Sequence, residues 1–359
     1  MSGFNLHIKC DDLVKIASFD LDWTLLKPKG NNIFSKDKND FEFIPSIEKF
    51  RQLLDKNYKI VIFTNQMGIK KGKASIEDLK YKFYTLCEYY NCKDIILYMS
   101  IEDDHTRKPR LGMWELLVRN NYSNINMAES FYCGDACGRS INIFGKKDFS
   151  TSDIKFAINL NIKFITPEEL FFNNTNYLAP NKEQLIKLDK LDIIFNQTIQ
   201  GNINFNFSDK QEVIFMHGPP ASGKSTFIKK YLISKFVVIN CDELKTISKI
   251  KKSIILNLNE GNSIVVDSTS NKIKYRAELL KIIPSNILVN LIKINISKEI
   301  AMHNNMYRSL YIGKKIPSIA IHAAFKQNEV PTLLEGFANI YDYNFTNTSN
   351  DIRYNQFLV

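Results

Sequence analysis

The apolar residues of this chain come in short runs that end abruptly in polar or acidic residues. Leu13 to Asp22 begins apolar and ends in acids, the pattern of a buried strand opening onto a polar site. Tyr58 to Phe63 predicts a second strand, ending in Thr64-Asn65-Gln66. Between them, Ile47 to Lys56 has helical spacing, with Ser46 placed to cap it. Ser75 to Tyr90 predicts another helix, with Ile76, Leu79, Phe83 and Leu86 as its apolar stripe. Ile95 to Met99 reads as a strand, Gly112 to Arg119 as a helix, and Ser130 to Cys133 as a strand ending in Gly134-Asp135. Alternation of this kind predicts an α/β fold with a parallel sheet.

Around Asn173 to Asp209 the texture changes to Asn-rich stretches about one amphipathic patch, Glu183 to Phe195, which marks a domain boundary. The alternation then restarts. Val213 to Met216 predicts a strand, Gly218 to Thr226 a Gly-rich loop, Thr226 to Ile233 a helix and Phe236 to Asn240 a strand. Ser263 to Val266 and Ile287 to Ile294 predict further strands, and Ile352 to Val359 a last strand closing the second domain. The expected division is 1–175, a linker over 176–205, and 206–359. No internal repeat is visible.

A length of 359 residues fits two domains, each large enough for its own core. With 44% hydrophobic and 24% charged residues, the composition excludes a mostly disordered chain, a fibrous repeat and a disulfide-rich miniprotein. No apolar run reaches the length of a membrane span, and Met1 to Cys10 lacks the pattern of a secretory signal. The net charge of +10 favours anionic partners, nucleic acid above all. The six cysteines, Cys10, Cys87, Cys92, Cys133, Cys137 and Cys241, form no Cys-x-x-Cys pair and no zinc-type set, although Cys133 and Cys137 flank Asp135. A reducing intracellular compartment is expected, nucleus and cytoplasm not being distinguished.

Asp20 and Asp22 stand two residues apart at the end of the first predicted strand. If the strand persists, period two puts both on one face, and the carboxyl ends of parallel strands border the ligand crevice. Asp20 can attack a phosphorus atom and form an aspartyl-phosphate. Asp22 can protonate the leaving oxygen and then deprotonate the hydrolytic water. Adjacent carboxylates call for a cation, and Mg²⁺ suits oxygen ligands and phosphate. Later strand ends add Thr64 and Asn65 for the phosphate oxygens, Lys108 as a positive charge, and Asp135 as a second metal carboxylate.

This ordered set resembles the haloacid-dehalogenase-type phosphatases, and within them the phosphatase half of polynucleotide kinase/3′-phosphatases. The likeness runs from Phe19–Leu25 through Thr64-Asn65-Gln66-Met67-Gly68-Ile69, Arg107-Lys108-Pro109, Gly134–Arg139 and Lys147–Ser150 to Thr166–Phe172, covering about residues 13–172. It implies Asp20 as nucleophile and Asp22 as general acid/base. It also implies Mg²⁺ held by Asp20, the main-chain carbonyl of Asp22, and Asp135, with Asp148 or Asp153 in support. Trp23 stands where such relatives usually carry glycine, which leaves three readings: narrowing of the site, stacking on a base, or packing under a loop.

Gly218-Pro219-Pro220-Ala221-Ser222-Gly223-Lys224-Ser225 fits G-x-x-x-x-G-K-[ST] between a predicted strand and helix. Such loops cradle phosphates with backbone N–H groups at a helix N-terminus. Gly218, Ser222, Gly223, Lys224, Ser225 and Thr226 are the expected ATP contacts, with Lys224 on the β/γ-phosphates and Ser225 on Mg²⁺. Asp242, past the strand ending at Asn240, is placed to take a proton from a hydroxyl nucleophile. Asp267 is either a second acid near the metal or a substrate-orienting group. Arg308 is the candidate lid cation against the transferring phosphoryl group.

This half also resembles polynucleotide kinases, through the loop with Ser225–Lys230, Asn240–Leu244, Asp267–Asn271, His303–Arg308, Ile316-Pro317 and Pro331–Phe337. The resemblance covers about residues 211–359 and implies ATP-dependent phosphorylation of 5′-hydroxyls with Asp242 as base. Met306 and Cys241 replace arginines common in relatives, which points to weaker phosphate clamping or weaker substrate affinity. Together the resemblances imply a Rossmann-like phosphatase domain (1–175) and a P-loop kinase domain (206–359) that turn 3′-phosphate and 5′-hydroxyl ends into ligatable ones. Animal relatives place a phosphopeptide-binding module ahead of the phosphatase, and none is expected before Leu13. DNA strand breaks are the expected partner, met partly through Lys70, Lys71 and Lys73. RNA ends, a catalytically weak end-binding protein, and a metabolite kinase joined to a metabolite phosphatase are the alternatives. No membrane partner and a monomeric chain are expected.

Overall fold

The computed structural model describes residues 13–30, 32–196, 205 and 207–359. The chain separates into two compact units, one comprising Met1–Leu185 with Gln356–Val359, the other Ile186–Asn355. Cys10 lies outside the described residues.

In the first unit the strands are β1 (Lys15–Phe19), β2 (Leu26–Lys27), β3 (Glu42–Phe43), β4 (Tyr58–Asn65), β5 (Ile96–Ser100), β6 (Phe131–Cys133) and β7 (Lys163–Ile165). Five of them form a wholly parallel sheet in the order β5-β4-β1-β6-β7, while β2 and β3 make a small antiparallel ribbon. The chain moves outward from β1 to β4 and β5, then returns to the other side of β1 as β6. The sheet therefore has a switch point beside β1, where α/β proteins bind ligands.

Period two divides the core between the sheet faces. Ala17, Phe19, Ile60 and Ile62 join Phe50, Leu53, Leu79 and Leu86, from the helices Ile47–Asp55 and Ile76–Tyr89. Ile16, Val61 and Phe63 point the other way, to Met113, Trp114, Leu117, Phe156 and Leu160, from Gly112–Asn120 and Ser152–Leu160. Ser46 caps its helix by accepting from Lys49 N, and Ser75 accepts from Glu77 N and Asp78 N.

The second unit repeats the plan with β8 (Glu212–His217), β9 (Val237–Asn240), β10 (Ile264–Asp267), β11 (Leu288–Asn295) and β12 (Asn339–Asn344). All pairings are parallel, in the order β12-β11-β8-β10-β9. Val213 and Phe215 face one cluster and Ile214 and Met216 the other, so β8 is buried on both sides.

Four expectations are corrected. β1 stops at Phe19, because Leu21 O accepts from the N–H groups of Leu25 and Leu26 and closes a turn there; strand alternation therefore does not align Asp20 with Asp22. Ile76 opens its helix but stays 37% exposed, outside the buried stripe. The segment expected as a linker carries helices at Lys182–Asp189 and Asp192–Phe195, with 197–204 and 206 outside the described residues. No strand spans Ile352–Val359: Ile352–Asn355 is a 3₁₀ turn, Gln356–Val359 belongs to the first unit, and β12 closes the second sheet. Among the described residues no helix is long and apolar enough to cross a membrane.

Candidate active sites

The first site lies where β1, β4 and β6 end. Asp20 follows β1 directly, and its N–H donates to Cys133 O at 2.9 Å. Lys108, only 3% exposed, donates from Nζ to Asp20 Oδ1 at 2.6 Å, Asp153 Oδ1 at 2.8 Å and the Tyr132 hydroxyl at 2.6 Å. Carboxylate oxygens of Asp20, Asp135 and Asp153 lie within 4.8 Å of one another. Asp153 opens the helix Ser152–Leu160 and accepts from Ala136 N at 3.0 Å. This approach requires glycine at 134, where a Cβ would sit 2.4 Å from Asp153 Oδ2. Thr24 Oγ accepts from Asp135 N at 3.1 Å and fixes the neighbouring turn.

Three carboxylates around one ammonium leave an excess of negative charge in a buried place. Burial pushes the Asp20 carboxyl up to about 7; Lys108 opposes this and Asp153 and Asp22 add to it. Asp135 is raised well above its ordinary value by burial and by Asp153 and Asp20. Burial lowers Lys108, but Asp153 and Asp20 outweigh it and its pKa is raised. A cation or protons would relieve this excess, and the hard oxygen donors fit Mg²⁺.

Asp22 and Thr64 are joined through Gln66, whose Nε2 donates to Asp22 Oδ2 at 2.8 Å and Thr64 Oγ at 2.9 Å. Asn65 departs from its expected part. Its amide bonds both main-chain groups of Lys108, donating to the carbonyl at 3.1 Å and accepting from the N–H at 3.0 Å, so it braces the lysine loop rather than facing phosphate. Asp148 stands apart from the carboxylate cluster. It accepts from Arg139 Nε at 2.8 Å, and Arg139 also donates to Glu168 and to the main-chain oxygen of Asp135. Cys137 donates its thiol to Asp148 and Cys133 is buried in β6, so neither acts as a ligand in the carboxylate cluster. Trp23 adopts φ 60°, the left-handed region that glycine enters freely. Its indole N–H donates to Ile33 O, its ring meets Phe144 edge-on at 5.4 Å, and Lys146 lies 4.4 Å above it. These contacts match the packed reading of Trp23.

The second site follows β8. Gly223, at φ 93°, caps the helix Lys224–Tyr231. Ser222 is buried, and Thr226 is exposed on the first turn of the helix. Lys224 Nζ folds over the loop to Gly218 O at 2.8 Å and Pro219 O at 2.9 Å. Ser225 Oγ donates to Asp267 Oδ2 at 2.8 Å, joining the loop to the end of β10. Burial drives Lys224 down to about 8; Asp267 and Asp242 pull it up and Arg308 pushes it down, so all three lie within its electrostatic reach. Asp242 sits exposed on the short helix Cys241–Leu244, and Arg308 lies on Lys298–Tyr311.

The family model described as "Polynucleotide kinase 3 phosphatase" matches residues 15–171. A bifunctional polynucleotide phosphatase/kinase from Schizosaccharomyces pombe is 33% identical over 336 residues, covering 92% of this chain and 80% of its own. The chain belongs to the bifunctional polynucleotide phosphatase/kinase family. A polynucleotide 3′-phosphatase from Saccharomyces cerevisiae, 30% identical, covers 44% of this chain and 87% of itself.

Several residues of this bifunctional phosphatase/kinase were not singled out by sequence reasoning. Tyr132 lies within a buried strand, where nothing distinguishes a core tyrosine from one bonded to Lys108. Gln66 was visible within Thr64-Asn65-Gln66, but its double contact depends on a turn after β4. Asn304 donates to Ala221 O at 2.9 Å and accepts from the Tyr354 hydroxyl, tying the Arg308 helix to the phosphate loop. Its neighbours His303 and Asn305 were visible as a polar run, and the burial of all three was not.

Proposed function

We propose that this chain heals polynucleotide ends, removing 3′-phosphates in its first unit and phosphorylating 5′-hydroxyls with ATP in its second, so that DNA breaks become ligatable. Family membership supports the pairing of activities. The observation that carries the chemistry is the convergence of Asp20, Lys108, Asp135 and Asp153 at the strand ends.

In the first unit, Asp20 attacks the phosphorus and the P–O3′ bond breaks. Asp22, oriented by Gln66, gives its proton to the departing oxygen. A water then attacks the aspartyl-phosphate, Asp22 takes its proton, and inorganic phosphate leaves as the Asp20 carboxylate is restored. Lys108 holds Asp20 and balances charge on the transferring group, and Thr64 faces the phosphate oxygens. Asp20, the main-chain carbonyl of Asp22, and Asp135 would hold Mg²⁺, with Asp153 alongside; the ion supplies charge neutralisation for carboxylates and phosphate.

In the second unit, Gly218 to Thr226 cradle the ATP phosphates, Lys224 reaches the β/γ-phosphates, and Ser225 with Asp267 would hold Mg²⁺. Asp242 takes the proton of the 5′-hydroxyl as its oxygen attacks the γ-phosphorus, and Arg308 offsets charge on the group in flight. The exposed rings of Phe34 and Phe149, 6.1 Å apart, offer bases a stacking face in the first unit.

The test is a nicked duplex carrying both blocked ends, given Mg²⁺ and ATP, each terminus followed separately. Asp20→Asn is expected to abolish 3′-phosphate removal and leave 5′-phosphorylation intact; Lys224→Ala is expected to do the reverse. A Lys224→Ala protein that still labels 5′-hydroxyls from ATP overturns the kinase assignment. Competing DNA and RNA oligonucleotides separate the two polymers. Tight end binding without turnover would favour a recruitment protein.

A further inference from the structure

The last four residues follow the kinase half in sequence, yet they pack in the unit that contains Asp20. Phe357 is fully buried and Leu358 is 1% exposed. Their main chain is gripped throughout. Asn159 accepts from Phe357 N at 2.9 Å and donates to Phe357 O at 2.8 Å. Arg110 Nε donates to Leu358 O at 2.9 Å, and Lys155 Nζ donates to the main-chain oxygen of Val359 at 2.8 Å while lying 5.4 Å over the Phe357 ring.

The residues that grip this segment belong to the two elements that orient Lys108. Arg110 is two positions beyond Lys108, and its Nη1 donates to Asp104 O at 2.6 Å, drawing the loop together. Lys155 and Asn159 stand on the helix Ser152–Leu160, whose first turn carries Asp153. Asn159 also donates to Pro109 O at 2.9 Å, so one amide touches the segment and the lysine loop together. Lys108 and Asp153 meet at 2.8 Å. A displacement of either backbone would loosen that pair, and with it the hold on Asp20.

We propose that Gln356–Val359 is a positioning element of the phosphatase site, clamping the Lys108 loop to the Asp153 helix from behind. No residue of the segment touches the reacting atoms. The proposal deepens the phosphatase reading and rests on it for its kinetic consequence. Its structural content, that the segment orders residues 105–112 and 152–160, stands independently of what the site hydrolyses.

The experiment uses the full chain with Phe357→Ala, Phe357→Leu and Asn159→Ala. Thermal midpoints are measured first. Then kcat and KM on a 3′-phosphate oligonucleotide are measured well below the lowest midpoint, and hydrogen exchange is followed peptide by peptide. Phe357→Ala is expected to lower kcat at least tenfold with KM within twofold, and to raise exchange in 105–112 and 152–160 while β4 keeps its protection. Phe357→Leu is expected to restore most of both. Unchanged kcat together with unchanged exchange in those two segments overturns the proposal. If Phe357→Ala loses protection throughout the first unit, Asn159→Ala decides by the same criteria, since it removes the bridging amide and spares the buried ring. If the unmodified chain does not hydrolyse the 3′-phosphate, the phosphatase reading fails, and the exchange pattern alone decides the role of the segment.

Discussion

Gly134 shows how a single residue can set the geometry of the carboxylate cluster. Its missing side chain is the space into which Asp153 leans to reach Ala136 N and Lys108. A methyl group there, 2.4 Å from Asp153 Oδ2, must displace the carboxylate or the backbone around Gly134. Misplacing a catalytic constellation by about an ångström costs roughly a hundredfold in rate. Gly134→Ala is therefore expected to reduce 3′-phosphatase kcat about a hundredfold and to leave 5′-phosphorylation unchanged, as two end-specific assays on one preparation will show. Lys224 carries the corresponding lesson in the other unit. Burial pushes its pKa down to about 8, which brings the neutral amine into reach at mildly alkaline pH. The phosphates of bound ATP favour the charged form and pull a proton in. Binding of MgATP at mildly alkaline pH is expected to take up protons, the uptake falling towards none at pH 6.5. Calorimetry in buffers of different ionisation enthalpy measures this, and Lys224→Arg should remove the uptake.

At the scale of elements, each site depends on a helix tied to a strand-end loop. Asn304 secures the Arg308 helix to the phosphate loop through Ala221 O, and the Tyr354 hydroxyl completes its bonding. Removing its amide leaves a buried carbonyl and hydroxyl short of partners, at about 1–3 kcal/mol. Asn304→Ala should lower kcat/KM for 5′-phosphorylation about tenfold, at about 1.4 kcal/mol per decade, without altering 3′-phosphate removal. Such ties also mark what a sequence discloses. The buried parallel strands were legible because their apolar runs are short and end in chemistry: Phe19 before Asp20, Phe63 before Thr64, Met216 before the glycine-rich loop. The cap at Ser46 marked Ile47–Asp55 equally well. Side-chain duties settled by turns were hidden. Asn65 looks as suited to phosphate as Thr64, yet it bonds the Lys108 backbone. Asp148 and Asp153 are both acids after the same loop, and only the start of a helix directs one into the cluster while Arg139 takes the other. The terminal Phe357-Leu358 pair reads like strand end because apolar burial carries no label for the unit that provides it.

For the whole molecule, the two units differ in how acid affects them. His217 and His303 are buried in the second unit, and burial drives each down to about 4. A histidine whose folded pKa is depressed contributes stability that is complete above its unfolded value near 6.5 and declines as pH falls toward 4, because the unfolded chain binds the proton first. By pH 5.5 the loss is on the order of 1 kcal/mol for each. The first unit runs oppositely when divalent ions are chelated. Asp20 is raised to about 7, so its folded form holds a proton that the unfolded chain releases. Its contribution is complete below the unfolded value of 3.8 and is lost as pH rises through 7. Both tryptophans of the chain, Trp23 and Trp114, lie in the first unit, so their emission follows that unit alone. Lowering pH from 7.5 to 5.5 in a chelator is expected to reduce hydrogen-exchange protection in β8 and β11, measured against the intrinsic exchange rate at each pH, while the tryptophan-detected transition holds or moves up. Adding Mg²⁺ at pH 7.5 should move that transition up as well, since a cation relieves the same crowding of carboxylates that protons relieve in acid. A tryptophan transition that instead falls with pH and ignores Mg²⁺ would mean that Asp20, Asp135 and Asp153 do not share one electrostatic site.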